Sequence, residues 1–170
     1  MGLNFEYNFG QTPLDEDEMQ ELLIPGISTH LELNEFEQLN IESAVQWSLS
    51  HSVKAEVLLT EAFILSLHKR MFGKVWKWAG KLRKTNKNIG IDKWQISSEL
   101  KILLDDTHFW MQNQSFSPDE ITLRFKHRLV SIHCFSNGNG RHSRLLADIL
   151  ISNVFKSPAY TWGIIQNISA

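Results

Sequence analysis

One cysteine in 170 residues, Cys134, excludes an internal disulfide and agrees with a reducing compartment. No stretch approaches the roughly twenty apolar residues that a membrane span requires. The opening Met-Gly-Leu-Asn-Phe-Glu lacks the basic and then apolar run of a secretory leader. The expectation is a cytoplasmic protein with no membrane partner. Gly2 fits a myristoyl acceptor poorly, because Glu6 stands where that motif requires Ser or Thr. A charge imbalance is also missing: 17 Lys and Arg against 19 Asp and Glu leave −2, so no global field draws the chain to nucleic acid. Internal repeats and low-complexity tracts are absent, which excludes a solenoid.

What remains is a globular balance of 42% hydrophobic and 21% charged residues, with six Trp and ten Phe for an aromatic-rich core. The length suits one core and is too short for two ordinary domains. The first thirty residues are acidic and irregular: Asp15-Glu16-Asp17-Glu18 leads into a short apolar piece that Pro25-Gly26 cuts off. The chain therefore divides into an N-terminal arm, 1–28, and a single domain, 29–170.

Periodicity places the helices. Thr29 and Glu32 have capping-box spacing, and the apolar pattern through Leu33, Phe36, Ile41, Ala44 and Trp47 predicts a helix over about 30–49. Leu59, Phe63, Leu67 and Met71 form one stripe, closed by Gly73 where a left-handed cap is cheapest. The stretch 81–96 lacks helical period and carries Asn86, Asn88 and Gly90, which predicts a short β-hairpin. Ser97 or Ser98 caps a third helix with Leu100, Leu103, Leu104, Thr107 and Trp110 inward. Ser117-Pro118-Asp119-Glu120 starts another, which runs through Ile121, Phe125, Leu129 and Ile132 to His133. Beyond a Gly138–Gly140 turn, Leu145, Leu146, Ile149 and Leu150 mark a last helix with an Arg144–Asp148 pair. The sum is a mainly α bundle with one hairpin.

Chemistry concentrates in His133-Cys134-Phe135-Ser136-Asn137-Gly138-Asn139-Gly140-Arg141-His142-Ser143-Arg144. A glycine-rich loop entering a helix presents bare backbone N–H groups beside the positive end of the helix dipole, an anion site that phosphate fits. Gly138 and Gly140 permit positive φ and close approach of the backbone to a ligand. Arg141 and Arg144, one turn apart, suit a polyphosphate. His133 ends the preceding helix, where an ordinary imidazole pKa would let it take a proton from a hydroxyl attacking an α-phosphate. That is nucleotidyl transfer.

The same string resembles the signature of the Fic (filamentation induced by cAMP) family, His-Pro-Phe-x-(Asp/Glu)-Gly-Asn-Gly-Arg-x-x-Arg, at His133, Phe135, Gly138, Asn139, Gly140, Arg141 and Arg144. Leu67-His68, Phe72 and Trp76-Lys77-Trp78-Ala79-Gly80-Lys81-Leu82-Arg83 look like the segment leading to that family's flap, so the likeness covers about 60–162. Within the family, the string is most similar to a branch called mobile mystery protein B. The resemblance implies an all-α, Fic-like helical bundle with a short β-hairpin flap, and transfer of AMP from ATP to a Ser, Thr or Tyr hydroxyl of a target protein. By that likeness His133 is the general base, Phe135 and Asn137 to Arg141 line the nucleotide site, Arg141 meets the β-phosphate and Arg144 the γ-phosphate. Thr85, Asn86, Lys87, Asn88, Ile89, Gly90 and Ile91 would form the flap that aligns the target by main-chain pairing.

Two positions depart from the pattern. Cys134 replaces a loop-shaping proline. Asn137 replaces the Asp or Glu that holds Mg²⁺, so the metal would be held weakly or through the phosphates. The resemblance also implies restraint by a Glu. Glu32 is the internal candidate, and an antitoxin-like partner is the alternative. In the resembling branch the chain runs on as helix past Tyr160-Thr161-Trp162-Gly163, so this chain, which stops at Ala170, reads as shortened or diverged there.

His127, His133 and His142 do not put three zinc ligands on one face. Cys134 is better placed as an inert buried thiol than as a nucleophile. Lys81, Arg83, Lys84 and Lys87 form a solvated basic face, which makes nucleic acid a minor option. The alternatives to adenylyl transfer are a catalytically weakened nucleotide- or partner-binding module, or transfer of another phosphate-containing group.

Overall fold

Thr29, Thr60 and Ser117 each turn a side-chain oxygen onto a backbone N–H three residues ahead, from Glu32, Phe63 and Glu120, all at 3.2 Å. These caps satisfy N–H groups that the first turn of a helix cannot, and they fix where three main helices begin. The computed structural model describes residues 12–163. The expectations placed on Gly2, Glu6 and the chain beyond 163 lie outside the described residues.

In chain order the helices are α1 (Glu16–Met19), α2 (His30–Ser50), α3 (Ala55–Leu58), α4 (Glu61–Phe72), α5 (Ile96–Gln112), α6 (Pro118–Ile132) and α7 (Asn139–Ile149). A 3₁₀ turn at Lys93–Gln95 leads into α5, and α7 runs into a π-helical turn at Leu150–Val154. The fold is thus mainly helical, as expected. Helix α2 lies against α4, α4 against α7, and α5, α6 and α7 stack in sequence. Leu67, Met71 and Phe72 of α4, Leu100 and Leu103 of α5, Phe125 of α6 and Leu146 of α7 are fully buried and meet at the centre. Among the described residues no helix is long and apolar enough to cross a membrane.

Several local expectations change. Among the described residues there is no strand, only an isolated antiparallel bridge between Leu22 and Trp76. The predicted hairpin at 81–96 is a chain of bends and turns followed by the 3₁₀ turn. Neither Ser97 nor Ser98 caps α5. The 3₁₀ turn starts the helix, and Asp92 caps that turn by accepting the Trp94 N–H at 2.9 Å. Gly73 is not left-handed, its φ being −71°. Its demand is steric, because a Cβ there would stand 2.4 Å from the Lys69 carbonyl oxygen. Asp148 does not pair with Arg144: its carboxylate accepts the Trp162 indole N–H at 3.0 Å and the Tyr160 N–H at 3.2 Å. Of the tryptophans, Trp76 and Trp78 are buried and stacked, while Trp94 is 83% exposed.

Residues 12–28 lie along the bundle. Leu23 N–H donates to Val75 O at 2.8 Å, Lys77 N–H to Glu21 O at 3.0 Å, and the Trp78 indole to Glu18 O at 3.2 Å.

Candidate active site

The loop between α6 and α7 is shaped by two left-handed residues. His133 ends α6 with φ 58°, and Gly138 opens α7 with φ 79°. Only glycine fits at 138, since a Cβ would also stand 2.5 Å from the Phe72 ring. Asn139 closes the loop from inside. Its Oδ1 accepts the Phe135 N–H at 3.0 Å and its Nδ2 donates to Phe135 O at 2.8 Å. His68 braces the same loop from α4: its Nδ1 accepts the Gly80 N–H at 3.0 Å, so the proton sits on Nε2, which donates to Asn137 O at 3.0 Å. Burial holds His68 well below the ordinary imidazole pKa, with His142 adding to the effect, so the ring stays neutral.

This bracing aims the start of α7 into a cavity of about 430 Å³. His133, Asn137, Gly138, Asn139, Gly140, Arg141 and Arg144 all line it, together with Thr12, Glu37, Trp76 and Ile89. The N–H groups of the first helical turn have no acceptor within their own helix, and no side chain caps them. With two guanidiniums on the same cavity, they make an anion site. Gly140 differs from the expectation of positive φ, for it sits within α7 and its Cβ would meet nothing within 4 Å. Its value is open space where a ligand approaches.

Not every expected residue reaches the cavity. Phe135 is buried behind the loop, its ring stacked on His68 at 3.7 Å and edge-on to His142 at 5.0 Å. Of the segment Thr85 to Ile91, Ile89 is the residue that lines the cavity. Asn137 Oδ1 is spent on the Gly138 N–H at 2.6 Å and, more distantly, on Arg141 Nη2 at 3.5 Å. The one carboxylate among the lining residues, Glu37, is held by Arg141. The lining groups therefore do not fit a magnesium ion by themselves.

His133 is 4% exposed. Burial, and then the Arg83 charge, lower its pKa to about 4, and the Val130 backbone partly offsets them. The ring is neutral at pH 7, with Nε2 3.2 Å from the Thr12 hydroxyl oxygen. Cys134, also buried, has its thiol pushed up to about 12 by burial, which suits an inert side chain.

Glu32 does not reach the arginines. Its carboxylate accepts the N–H groups of Ser28 at 2.9 Å and Thr29 at 3.1 Å, which is the capping box itself. Glu37, one and a half turns on, reaches one of them, Arg141. It is 4% exposed, accepts the Trp76 indole N–H at 2.7 Å on Oε1, and pairs with Arg141 Nη1 at 2.7 Å on Oε2. It shares the buried face of α2 with Leu33, Asn40 and Ala44. A carboxylate on an apolar stripe was the available signal.

Arg83, expected on a solvated face, is 4% exposed. Its Nε donates to His133 O at 2.6 Å, Nη1 to Thr85 O at 2.8 Å, and Nη2 to Ile91 O and, at 3.5 Å, to Ile132 O. One guanidinium thus satisfies carbonyls that strand pairing would have satisfied, which is why the segment needs no hairpin. It also fastens that segment to the His133 backbone. Gly90, at φ 96°, passes so close that a Cβ would stand 2.5 Å from His133 Cβ.

A model described as the Fic/DOC family matches residues 58–151. The protein adenylyltransferase Fic of Culex quinquefasciatus is 31% identical over 119 residues, and that of Aedes aegypti is 29% identical over 119 residues. Each match covers 68% of this chain and 24% of the relative, so the chain spans about a quarter of those curated proteins. Among solved structures, the BepC protein of Bartonella tribocorum with bound AMPPNP superposes with a TM-score of 0.62 at 21% identity, covering 78% of this chain and 77% of that one. The N-terminal Fic domain of a Bartonella quintana protein with bound ADP gives 0.60 at 23%, covering 74% and 68%. These likenesses carry the fold.

Proposed function

Since the chain belongs to the Fic/DOC family, we propose that it is a cytoplasmic protein adenylyltransferase that moves AMP from ATP to a Ser, Thr or Tyr hydroxyl of a target protein. The observation that carries this is the convergence of His133, the bare start of α7, Arg141 and Arg144 on one cavity. The names of the curated relatives, and the nucleotides in the solved ones, support it. The proposed organisation is an N-terminal arm, 1–28, and a single domain, 29–170. The target is proposed to dock along 85–91 by main-chain pairing.

In the proposed reaction Arg141 and Arg144 hold the polyphosphate by directed, charge-assisted hydrogen bonds. The amides at the start of α7 stabilise charge developing on the α-phosphate oxygens. His133 Nε2 takes the acceptor's proton. The test is incubation with ATP carrying the label at either the α- or the γ-phosphate. Retention of the α label on protein, with the mass of one AMP, is expected. Retention of γ alone would make the group a phosphoryl, and binding without transfer would make the chain a nucleotide-binding module.

The two glycines separate fold from ligand. Gly138→Ala is expected to cost about 1–3 kcal/mol of stability, because it is strained by both φ and the Phe72 contact. Gly140→Ala is expected to leave the melting temperature unchanged or raise it, since alanine favours helix by up to ~1 kcal/mol, while weakening ATP-analogue binding. Calorimetry with both variants checks this, and a Gly140→Ala that binds as wild type would remove the ligand role.

Within this reading Glu37, not Glu32, restrains the site by occupying Arg141. Glu37→Gln keeps an oxygen for Trp76 and removes the charge. Affinity for a non-hydrolysable ATP analogue is expected to rise on the order of tenfold, the equivalent of ~1.4 kcal/mol. An unchanged affinity would move the restraint to a separate antitoxin-like partner.

A further inference from the structure

Residues 12–15 run between the flap segment and the catalytic loop, held from both sides. Asn137 Nδ2 donates to Thr12 O at 3.1 Å, and Lys87 Nζ donates to Pro13 O at 3.4 Å. The Thr85 hydroxyl donates to Asp15 Oδ2 at 2.7 Å, and Lys87 pairs with Asp15 at 3.1 Å and with Glu18. Thr12 and Leu14 are each 8% exposed and line the cavity that holds Arg141 and Arg144. Thr12 Oγ1 lies 3.2 Å from His133 Nε2. With the imidazole neutral, that hydroxyl is the donor and Nε2 the acceptor whenever the ring proton sits on Nδ1.

A hydroxyl on the base's reactive nitrogen, within the phosphate-binding cavity and carried by an extended segment in the channel expected for a target, has the attributes of an acceptor. We propose that Thr12 is an intramolecular acceptor of AMP. This rests on the reading of the site as an adenylyl-transfer centre and names its first substrate. The Thr12 oxygen bonds to the α-phosphorus of ATP while the bond from that phosphorus to the α–β bridging oxygen breaks. Pyrophosphate leaves with that electron pair, and the hydroxyl proton passes to His133 Nε2. The product is a threonine phosphodiester too bulky for residues 12–15 to keep their place, so that segment leaves the channel to an outside protein segment.

The test uses the whole chain, wild type and Glu37→Gln, with α-labelled ATP, alone and mixed with a cell lysate. Labelled peptides are mapped by mass spectrometry. The expected result is label on Thr12 at a first-order rate that does not change on dilution, lost in Thr12→Val and in His133→Ala, and retained in Thr12→Ser. A rate proportional to protein concentration, or label confined to other residues or to lysate proteins, overturns the proposal and leaves adenylyl transfer standing. No label on any protein with either chain overturns both.

Discussion

Replacing His133 with alanine is expected to lower AMP transfer by about 10²–10⁴-fold, the usual contribution of a positioned general base, while nucleotide affinity changes little. The separation follows from the geometry: the amides at the start of α7 and the two arginines line the same cavity but belong to a different element from the base. His133 also carries φ 58°, where a non-glycine residue without a local hydrogen bond is strained by roughly 1–2 kcal/mol. His133→Asn, better suited to that φ, serves as the companion variant. Both should bind an ATP analogue and neither should transfer. Transfer within tenfold of wild type by either would remove the imidazole from the chemistry. The pH profile supplies an independent reading. The His133 pKa is depressed to about 4, so on the proposed mechanism its imidazole is able to accept a proton at all pH values well above that. The acid limb of kcat/KM is expected below the ordinary imidazole value near 6.5, and a limb at or above that value would contradict the burial argument.

The second large effect is expected at Arg83. Arg83→Met keeps the stem and removes the fork, which leaves the carbonyls of His133, Thr85, Ile91 and Ile132 without that donor in a buried setting. Each buried carbonyl left unsatisfied costs about 1–3 kcal/mol, and several at once cost on the order of 3–5 kcal/mol. For a chain of this size that lowers the melting temperature on the order of 10 °C. Arg83→Lys is expected to rescue little, because an ammonium cannot address divergent carbonyls as a planar fork does. Transfer should fall further than the folded fraction, since the same contacts fasten 85–91 to the His133 backbone. Thermal unfolding beside transfer rates at a temperature where both variants are folded separates the two. A melting temperature within 2–3 °C of wild type, about 1 kcal/mol at this chain length, would show the fork to be dispensable.

The helices were legible because their signals are local. A cap oxygen, a glutamate three residues on and an apolar stripe together define α2 and α6 without any tertiary knowledge. The loop from His133 to Arg144 was legible for a related reason, its functional groups being close in the chain. Groups that act across the fold were not. Arg83 reads as one more cation in a basic run until its burial against residues some fifty positions away is seen. Glu37 belongs with Arg141 and Trp76, and α2 alone shows only a charge among apolar neighbours. The stretch 81–96 reads as paired strands because period and turn residues report an extended path and do not say which donor meets its carbonyls. Glu32 stands four residues after Ser28 and three after Thr29, and that spacing describes a helix cap.

Cys134 gives the chain a gauge of its own. The thiol is 1% exposed, pushed up to about 12, and lies on the stretch whose carbonyl receives the Arg83 N–H at 2.9 Å. It is the sole sulfhydryl in the sequence. Alkylation at neutral pH can therefore proceed only during excursions that lift this stretch away, and the alkylation rate clocks those excursions without any engineered label. Nucleotide that tightens the site should slow the clock, and loss of the Arg83 fork should speed it.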